Sequence, residues 1–115
     1  MTTTNHPSIA ETIWQQIPIG VKMSLGVREQ VQRNRDRSLV MKVGPNNSRF
    51  QLWVTLNGHD LYDIVLLKGV TRYKERYTVV DALHCQGVRN VWTRHDIFAE
   101  QLGEVLLRME SENWG

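Results

Sequence analysis

Apolar and polar residues alternate most clearly between Phe50 and Lys68. Successive side chains of a strand point to opposite faces, so such alternation predicts a strand with one buried face. The first run puts four apolar residues on one face: Phe50, Leu52, Val54 and Leu56. The turn-forming residues Asn57 to Asp60 interrupt the pattern, and a second run follows from Tyr62. That second run is apolar on both faces, which predicts a central strand paired with the first.

Weaker alternation elsewhere predicts further strands. These are Val21 to Val27, Leu39 to Val43, a strand beginning in Tyr77 to Leu83, and a short strand end at Val91 and Trp92. The polar stretch Arg28 to Arg37 is expected to form a loop or a frayed turn. Gly44 to Ser48 is rich in turn formers, and Gly69 to Arg76 is predicted to be a basic hairpin tip.

Two helices are predicted at the ends of the chain. Ser8 followed by Glu11 has the form of a capping box, and Pro18 and Gly20 are expected to stop the short helix that follows. Thr93 to Asp96 resembles the start of a second helix. Its apolar stripe has helical spacing and comprises Phe98, Leu102, Val105, Leu106 and Met109. The predicted fold is α+β, an antiparallel meander of four to five strands flanked by a short N-terminal and a longer C-terminal helix.

The composition of the chain is typical of a soluble globular protein. At 115 residues it is predicted to be one domain, with the first seven residues frayed. It is 41% hydrophobic and 23% charged, and no apolar run approaches the length of about 20 residues that crosses a bilayer. A polar N-terminus and a single cysteine, Cys85, favour a cytoplasmic location without membrane contact.

The net charge of +2 conceals an asymmetry along the chain. Residues 1–95 carry 13 Lys and Arg against 7 Asp and Glu, whereas residues 96–115 carry one arginine against five acidic residues. An acidic partner is therefore expected at the basic part, if the charge has a functional meaning. The alternative is that basic loops and an acidic helix simply face solvent.

Motifs of the common catalytic and nucleotide-binding sites are missing from the sequence. It contains no phosphate-binding loop, no GxGxxG, no GxSxG and neither a CxxC nor an HExxH pair. A metal site at His84, Cys85, His95 and Asp96 is disfavoured, because adjacent strand residues point to opposite faces. Asp60, Asp63 and Asp81 are expected to be structural. We therefore expect no cofactor and no metal, and a binding protein is favoured over an enzyme.

The strongest functional signal is a basic and aromatic stretch. Cations alternate with tyrosines on the predicted tip, and further basic and aromatic residues follow nearby. Cations neutralise phosphates, and exposed aromatic rings stack on bases. The predicted nucleic-acid-binding residues are Arg72, Tyr73, Lys74, Arg76, Arg89, Trp92 and Arg94. A solvated hairpin with tyrosines at the core rim is the alternative.

Four short motifs carry a resemblance to a known group of proteins. They are Gln15-Gln16-Ile17, Leu25-Gly26, Thr55-Leu56-Asn57 and Asp60-Leu61-Tyr62-Asp63. In these motifs the chain resembles a loose family of small phage, prophage and plasmid proteins. The resemblance implies an origin in a mobile element and a C-terminal helix. It implies no activity, and the segment Gly69 to Arg94 is longer than the family pattern.

Three hypotheses follow for the function. The first is binding of a nucleic-acid backbone by the basic and aromatic stretch. The second is a protein-interaction module, such as an inhibitor of a host factor or a homodimer, based on Trp53, Leu107 and Trp114 as exposed apolar residues. The third is binding of a small ligand or nucleotide around His84 to Asp96.

Overall fold

The computed structural model describes residues 8–33, 37–45, 49–69 and 87–114. Its strands are β1 (Glu29–Arg33), β2 (Ser38–Val43), β3 (Phe50–Leu56), β4 (Tyr62–Lys68) and β5 (Arg89–Ile97). Its α-helices are α1 (Ile9–Gln16), α2 (Ile19–Leu25) and α3 (Leu102–Asn113), the last preceded by a 3-10 turn, Ala99–Gln101. The five strands form one antiparallel sheet in the order β1-β2-β3-β4-β5. The predicted α+β meander is confirmed.

The N-terminal region contains two helices instead of a helix and a strand. Ser8 caps α1 as predicted, its hydroxyl accepting a hydrogen bond from the Glu11 N–H at 3.1 Å. Pro18 follows the end of α1 and is itself the N-cap of α2. The predicted strand Val21 to Val27 is wrong, because Val21 and Leu25 are buried one helical turn apart on α2. Gly26, with a φ of 67°, ends this helix in the left-handed conformation.

The predicted central hairpin is confirmed. β3 and β4 pair from Phe50 opposite Lys68 to Leu56 opposite Tyr62, and β4 lies between β3 and β5. The loop predicted for Arg28 to Arg37 is partly wrong, because β1 forms within it and pairs with β2. Among the described strands, β1 has a neighbour on one side only, so its polar residues are compatible with a strand at the sheet edge.

The main core lies between one face of the sheet and the three helices. Alternate residues of β2, β3 and β4 meet apolar residues of α1, α2 and α3 there. The C-terminal stripe is confirmed for Leu102, Leu106 and Met109, which are all fully buried, whereas Phe98 is 51% exposed. The Tyr62 hydroxyl on β4 also donates a hydrogen bond to Gln16 Oε1 at the end of α1.

The opposite face of the sheet has a second, smaller apolar cluster. Val40, Trp53 and Leu67 are buried there, and Val65 and Val88 pack against them. The Trp53 indole donates a hydrogen bond to Gln51 Oε1 at 2.8 Å. The hypothesis that Trp53 is an exposed interaction residue is wrong, since it is only 2% exposed.

Strand β5 is irregular at two points. Tyr62 pairs with Ile97 but Ile64 pairs with Arg94, so Asp63 faces both His95 and Asp96. A second shift occurs between Leu66, opposite Trp92, and Leu67, opposite Asn90. Thr93 to Asp96 therefore belongs to a bulged strand, and the predicted helix start there is wrong. A bulge breaks the period of two on which strand prediction depends.

Gly69, which follows β4, lies next to Gly87, which precedes β5. A Cβ atom added to Gly69 would lie 2.1 Å from the carbonyl oxygen of Gly87, and both glycines have positive φ angles, 96° and 83°. The predicted hairpin tip and the strand beginning in Tyr77 to Leu83 lie between them, outside the described residues. Within the described ranges, no helix has the length and hydropathy needed to span a membrane.

Candidate protein-interaction site

A groove of about 440 Å³ lies on the helical side of the protein. Its walls come from the end of α1, the start of α2 and the first turns of α3 with the 3-10 turn before it. The lining residues are Gln16, Pro18, Val21, Ala99, Glu100, Gly103, Glu104 and Leu107. This volume falls within the range of about 300 to 1,000 Å³ that is common for ligand sites.

Close packing between α2 and α3 forms the floor of the groove. Gly103 allows this approach, because a Cβ atom there would lie 3.1 Å from Cδ of the Pro18 ring. Farther along the two helices, the Ser24 hydroxyl donates a hydrogen bond of 2.5 Å to Glu110. The two contacts hold the helices together at both ends and leave the groove between their first turns.

Large apolar side chains are exposed on and near the same helices. Ile19 and Met23 are both 76% exposed and lie one turn apart on α2, opposite its buried residues. Leu107, which lines the groove, is 43% exposed, and Phe98 precedes the 3-10 turn. Scattered apolar residues on a surface are normal, but several on one helical layer indicate an interaction surface.

The charged side chains of the groove are acidic. Glu100 and Glu104 line it, and the described residues of its lining include no lysine or arginine. Arg108 lies one turn farther along α3, where its Nη2 atom is 3.9 Å from Glu104 Oε1. Both side chains of this pair are largely exposed, so the pair contributes little to stability, and Arg108 places one positive charge beside the two carboxylates. The groove thus combines an apolar floor with an acidic rim.

The three apolar residues of the protein-interaction hypothesis have different environments. Leu107 lies at the groove, as an interaction residue would. Trp53 is buried on the other side of the sheet. Trp114 is half-buried and its ring stacks on Phe50, with the ring centres 4.7 Å apart. Met23 was missed because the strand predicted for Val21 to Val27 placed it on a sheet, and Ile19 lay in the predicted stop between Pro18 and Gly20.

Four of the predicted nucleic-acid-binding residues lie outside the described residues: Arg72, Tyr73, Lys74 and Arg76. The other three are on β5. Arg89 is exposed, whereas Trp92 is only 7% exposed and belongs to the main core. Trp92 therefore offers little of its ring for base stacking, and the predicted set of nucleic-acid-binding residues stays a prediction.

The Arg94 side chain contacts two other side chains of the protein, Trp92 and Glu112. Its guanidinium carbon lies 4.4 Å from the centre of the Trp92 ring, and its Nη2 atom is 3.8 Å from Glu112 Oε2. The same carboxylate accepts a hydrogen bond of 2.6 Å from the Trp92 indole. The three side chains join β5 to α3, so the structural role of Arg94 competes with any contact to a phosphate.

A polar cluster lies at the end of the sheet where β3 turns into β4. Asn57 Oδ1 accepts hydrogen bonds from the N–H groups of His59 and Leu61, and its Nδ2 donates to Asp63 and Asp96. Asn57, and not Asp60, thus supplies the side chain that closes the turn. Asp63 has the structural role that we expected.

The Asp63 carboxylate has a lowered pKa. Partial burial is the largest influence and raises the pKa, but hydrogen bonds from Asn57, the Asp96 N–H and His95 together outweigh it. The net shift is below the usual value of 3.8, so the group is an anion at neutral pH and is a poor proton donor.

No group of three or more metal-ligating residues occurs in the described part of the chain. His84, Cys85 and Asp81 lie outside it. No family model, curated protein or solved structure matches the chain. The resemblance to phage and plasmid proteins therefore stays a prediction.

Proposed function

We propose that this protein is a protein-interaction module whose groove between α2 and α3 binds a basic amphipathic helix of a partner protein. The observation that carries the proposal is the groove itself, with Val21 and Leu107 in its lining and Glu100 and Glu104 as its charged residues. A helix binds such a groove through apolar side chains at spacings of three and four residues.

Charge complementarity determines the choice of partner. As far as the structure describes it, the lining of the groove contains two carboxylates and no cation, and residues 96–115 carry a net charge of −4. An acidic helix would meet repulsion there, whereas lysine or arginine beside the apolar stripe of a partner would be attracted. Leu107, which is 43% exposed, is the apolar side chain of the groove that is most accessible to such a partner.

A panel of synthetic amphipathic helices tests the proposal. The peptides share one apolar stripe and differ only in flanking charge, which is basic, neutral or acidic, and their binding is measured by fluorescence anisotropy. We expect the basic peptides to bind best. A Leu107→Asp variant should weaken that binding at least about tenfold, since it puts a charge where an apolar contact is made.

Matched controls use the same positions. Leu107→Met keeps an apolar side chain and should retain binding, and Glu100→Asp with Glu104→Asp keeps the rim charge. Glu100→Gln with Glu104→Gln should reduce the preference for basic over acidic peptides. Equal binding of all three peptide classes, or binding unaffected by Leu107→Asp, would overturn the proposal.

Nucleic-acid backbone binding is the second candidate, and one relationship on β4 and β5 favours it. Lys68 and Arg89 are directly opposite each other in the sheet, and neither forms an ion pair with another described residue. Like charges in this position repel, and a phosphate between them would relieve the repulsion. They flank the segment that contains Arg72, Lys74 and Arg76.

A salt titration separates this candidate from the first. If it holds, single-stranded RNA or DNA binds at low salt with an affinity that falls steeply as salt rises, and Lys68→Ala with Arg89→Ala reduces the slope by about two. Leu107→Asp should have no effect on this binding. Absence of binding at about 50 mM salt argues against it.

A further inference from the structure

Strand β1 forms one edge of the sheet. Among the described residues its only strand partner is β2, so its outer side carries backbone N–H and C=O groups without a neighbouring strand. All five residues of β1 pair with β2 in continuous register, with neither a bulge nor a proline. A regular edge of this kind is a template for another strand.

The other edge of the sheet is different. Strand β5 has two register shifts, and Asp96 within it has a φ of 57°. Bulges and local twist at an edge are devices that prevent strand addition. Among the described strands, the β5 edge is thus protected against strand addition, whereas the β1 edge is regular.

The sequence of β1, Glu29-Gln30-Val31-Gln32-Arg33, is complementary to itself in the antiparallel direction. When two copies meet with Val31 on the symmetry axis, Glu29 of each copy is opposite Arg33 of the other. Gln30 is then opposite Gln32, and valine is opposite valine. Opposite charges directly across two strands are favourable, and the two valines would bury apolar surface against each other.

An apolar row on the second face of the sheet ends at this strand. The row crosses four strands through three cross-strand pairs: Val31 with Val40, Val40 with Trp53, and Trp53 with Val65. Val40 and Trp53 are each 2% exposed, whereas Val31, at the end of the row, is only half-buried. A second copy would place its own Val31 beside this one and continue the row.

We propose that two copies of this protein associate by antiparallel pairing of their β1 strands about Val31, so that their sheets join into one. The interface is isologous, because each copy contributes the same strand. It does not involve the groove and does not rest on the function proposed above. Since five residues a side bury little surface, below the roughly 1,200 Å² of stable complexes, we expect a weak dimer.

Sedimentation velocity over protein concentrations of about 1 to 500 µM tests the proposal. We expect the wild-type protein to shift from a monomer of 13.4 kDa towards a dimer over this range. Glu29→Lys alone and Arg33→Glu alone should each weaken self-association at least about tenfold, because each variant puts like charges opposite one another. A 1:1 mixture of the two variants should form a heterodimer, in which every charged pair is again opposite in sign.

The Glu29 substitution also removes an intramolecular ion pair, in which Glu29 Oε2 lies 3.1 Å from Lys42 Nζ. Lys42→Ala is therefore the matched control: it breaks the same pair and should leave self-association unchanged. Circular dichroism melts show whether each variant is folded. A wild-type protein that is monomeric at the highest concentration, or a mixture of variants that does not associate, would overturn the proposal.

Discussion

The Nδ1 atom of His95 lies 3.3 Å from Oδ1 of Asp63, across the bulge that β5 makes opposite β4. The same carboxylate oxygen accepts hydrogen bonds from Asn57 Nδ2 at 2.9 Å and from the Asp96 N–H at 3.2 Å. One carboxylate thus joins the β3–β4 turn to the bulge. The sequence contains these residues at separate positions, and the bulge brings them together.

Acid should weaken the fold through Asp63. Its pKa in the folded protein is below the ordinary 3.8, so its contribution to stability is present above that value and is lost as pH falls through the lowered pKa. We expect Asp63→Asn to reduce the free energy of unfolding at pH 7 by about 1 kcal/mol and to have a smaller effect in acid.

Urea denaturation at pH 7, 5 and 3 measures this dependence. Asp60→Asn is the control, because Asp60 is exposed in the same turn with a φ of 59° that asparagine also tolerates. Its effect should stay within about 0.5 kcal/mol. An Asp63→Asn effect that does not change with pH would show that charge is unimportant at this site.

Replacement of Gly69 by alanine should destabilise the protein strongly. Its φ of 96° strains any residue with a Cβ atom, and the added atom would overlap the Gly87 carbonyl oxygen. Gly87→Ala has a comparable φ but no atom within 4 Å of the new Cβ, so it isolates the cost of the backbone angle. We expect that cost to be about 1 to 2 kcal/mol, with Gly69→Ala clearly larger. Thermal melts of both variants test the ranking, which equal losses of stability would refute.

Gln30 is predicted to reduce the stability of the native state. Its Oε1 atom is buried and has no hydrogen-bond partner among the described residues. A buried acceptor without a donor costs about 1 to 3 kcal/mol, and methionine has a similar shape without the amide. Gln30→Met should therefore raise the free energy of unfolding in urea by about 1 kcal/mol. Gln32→Met, at an exposed position of the same strand, should change little, and a loss of stability in Gln30→Met would contradict the assignment.

The indole of Trp92 is predicted to stabilise the contact between β5 and α3. Trp92→Phe keeps an aromatic ring in the core but removes the hydrogen bond to Glu112. Because Glu112 is about half exposed, we expect a loss of about 1 kcal/mol in addition to the loss of ring volume. Glu112→Gln retains an acceptor and serves as the comparison. Equal stability of Trp92→Phe and the wild type would show that this hydrogen bond contributes nothing.

Long helices and strands in which apolar residues recur at one regular spacing could be predicted from the sequence. Short or irregular elements could not. The β3–β4 hairpin and the buried stripe of α3 each follow one period over several residues. In α2, by contrast, Val21 and Leu25 fit both the alternation of a strand and one turn of a helix, and the packing of α2 against α3 decides between them. Strand β5 was shortened in the prediction, because two bulges shift which of its residues face the core.

The groove could not be predicted, because it is made by residues from both ends of the chain. Pro18 and Gly103 are far apart in sequence and meet only when α2 packs on α3. Arg89 and Lys68 likewise become neighbours only through the pairing of β4 with β5. Amino-acid composition did indicate the acidic character of the C-terminal helix, and this charge is the basis on which we propose a basic partner.

The contact between Gly69 and Gly87 also bears on how this protein can diversify. Gly69 and Gly87, which flank residues 70–86, lie next to each other. A tight turn in place of those residues would therefore keep β4 and β5 as neighbours. The order of the strands is thus independent of the length of that connection. Insertions and deletions there are therefore compatible with an unchanged strand order.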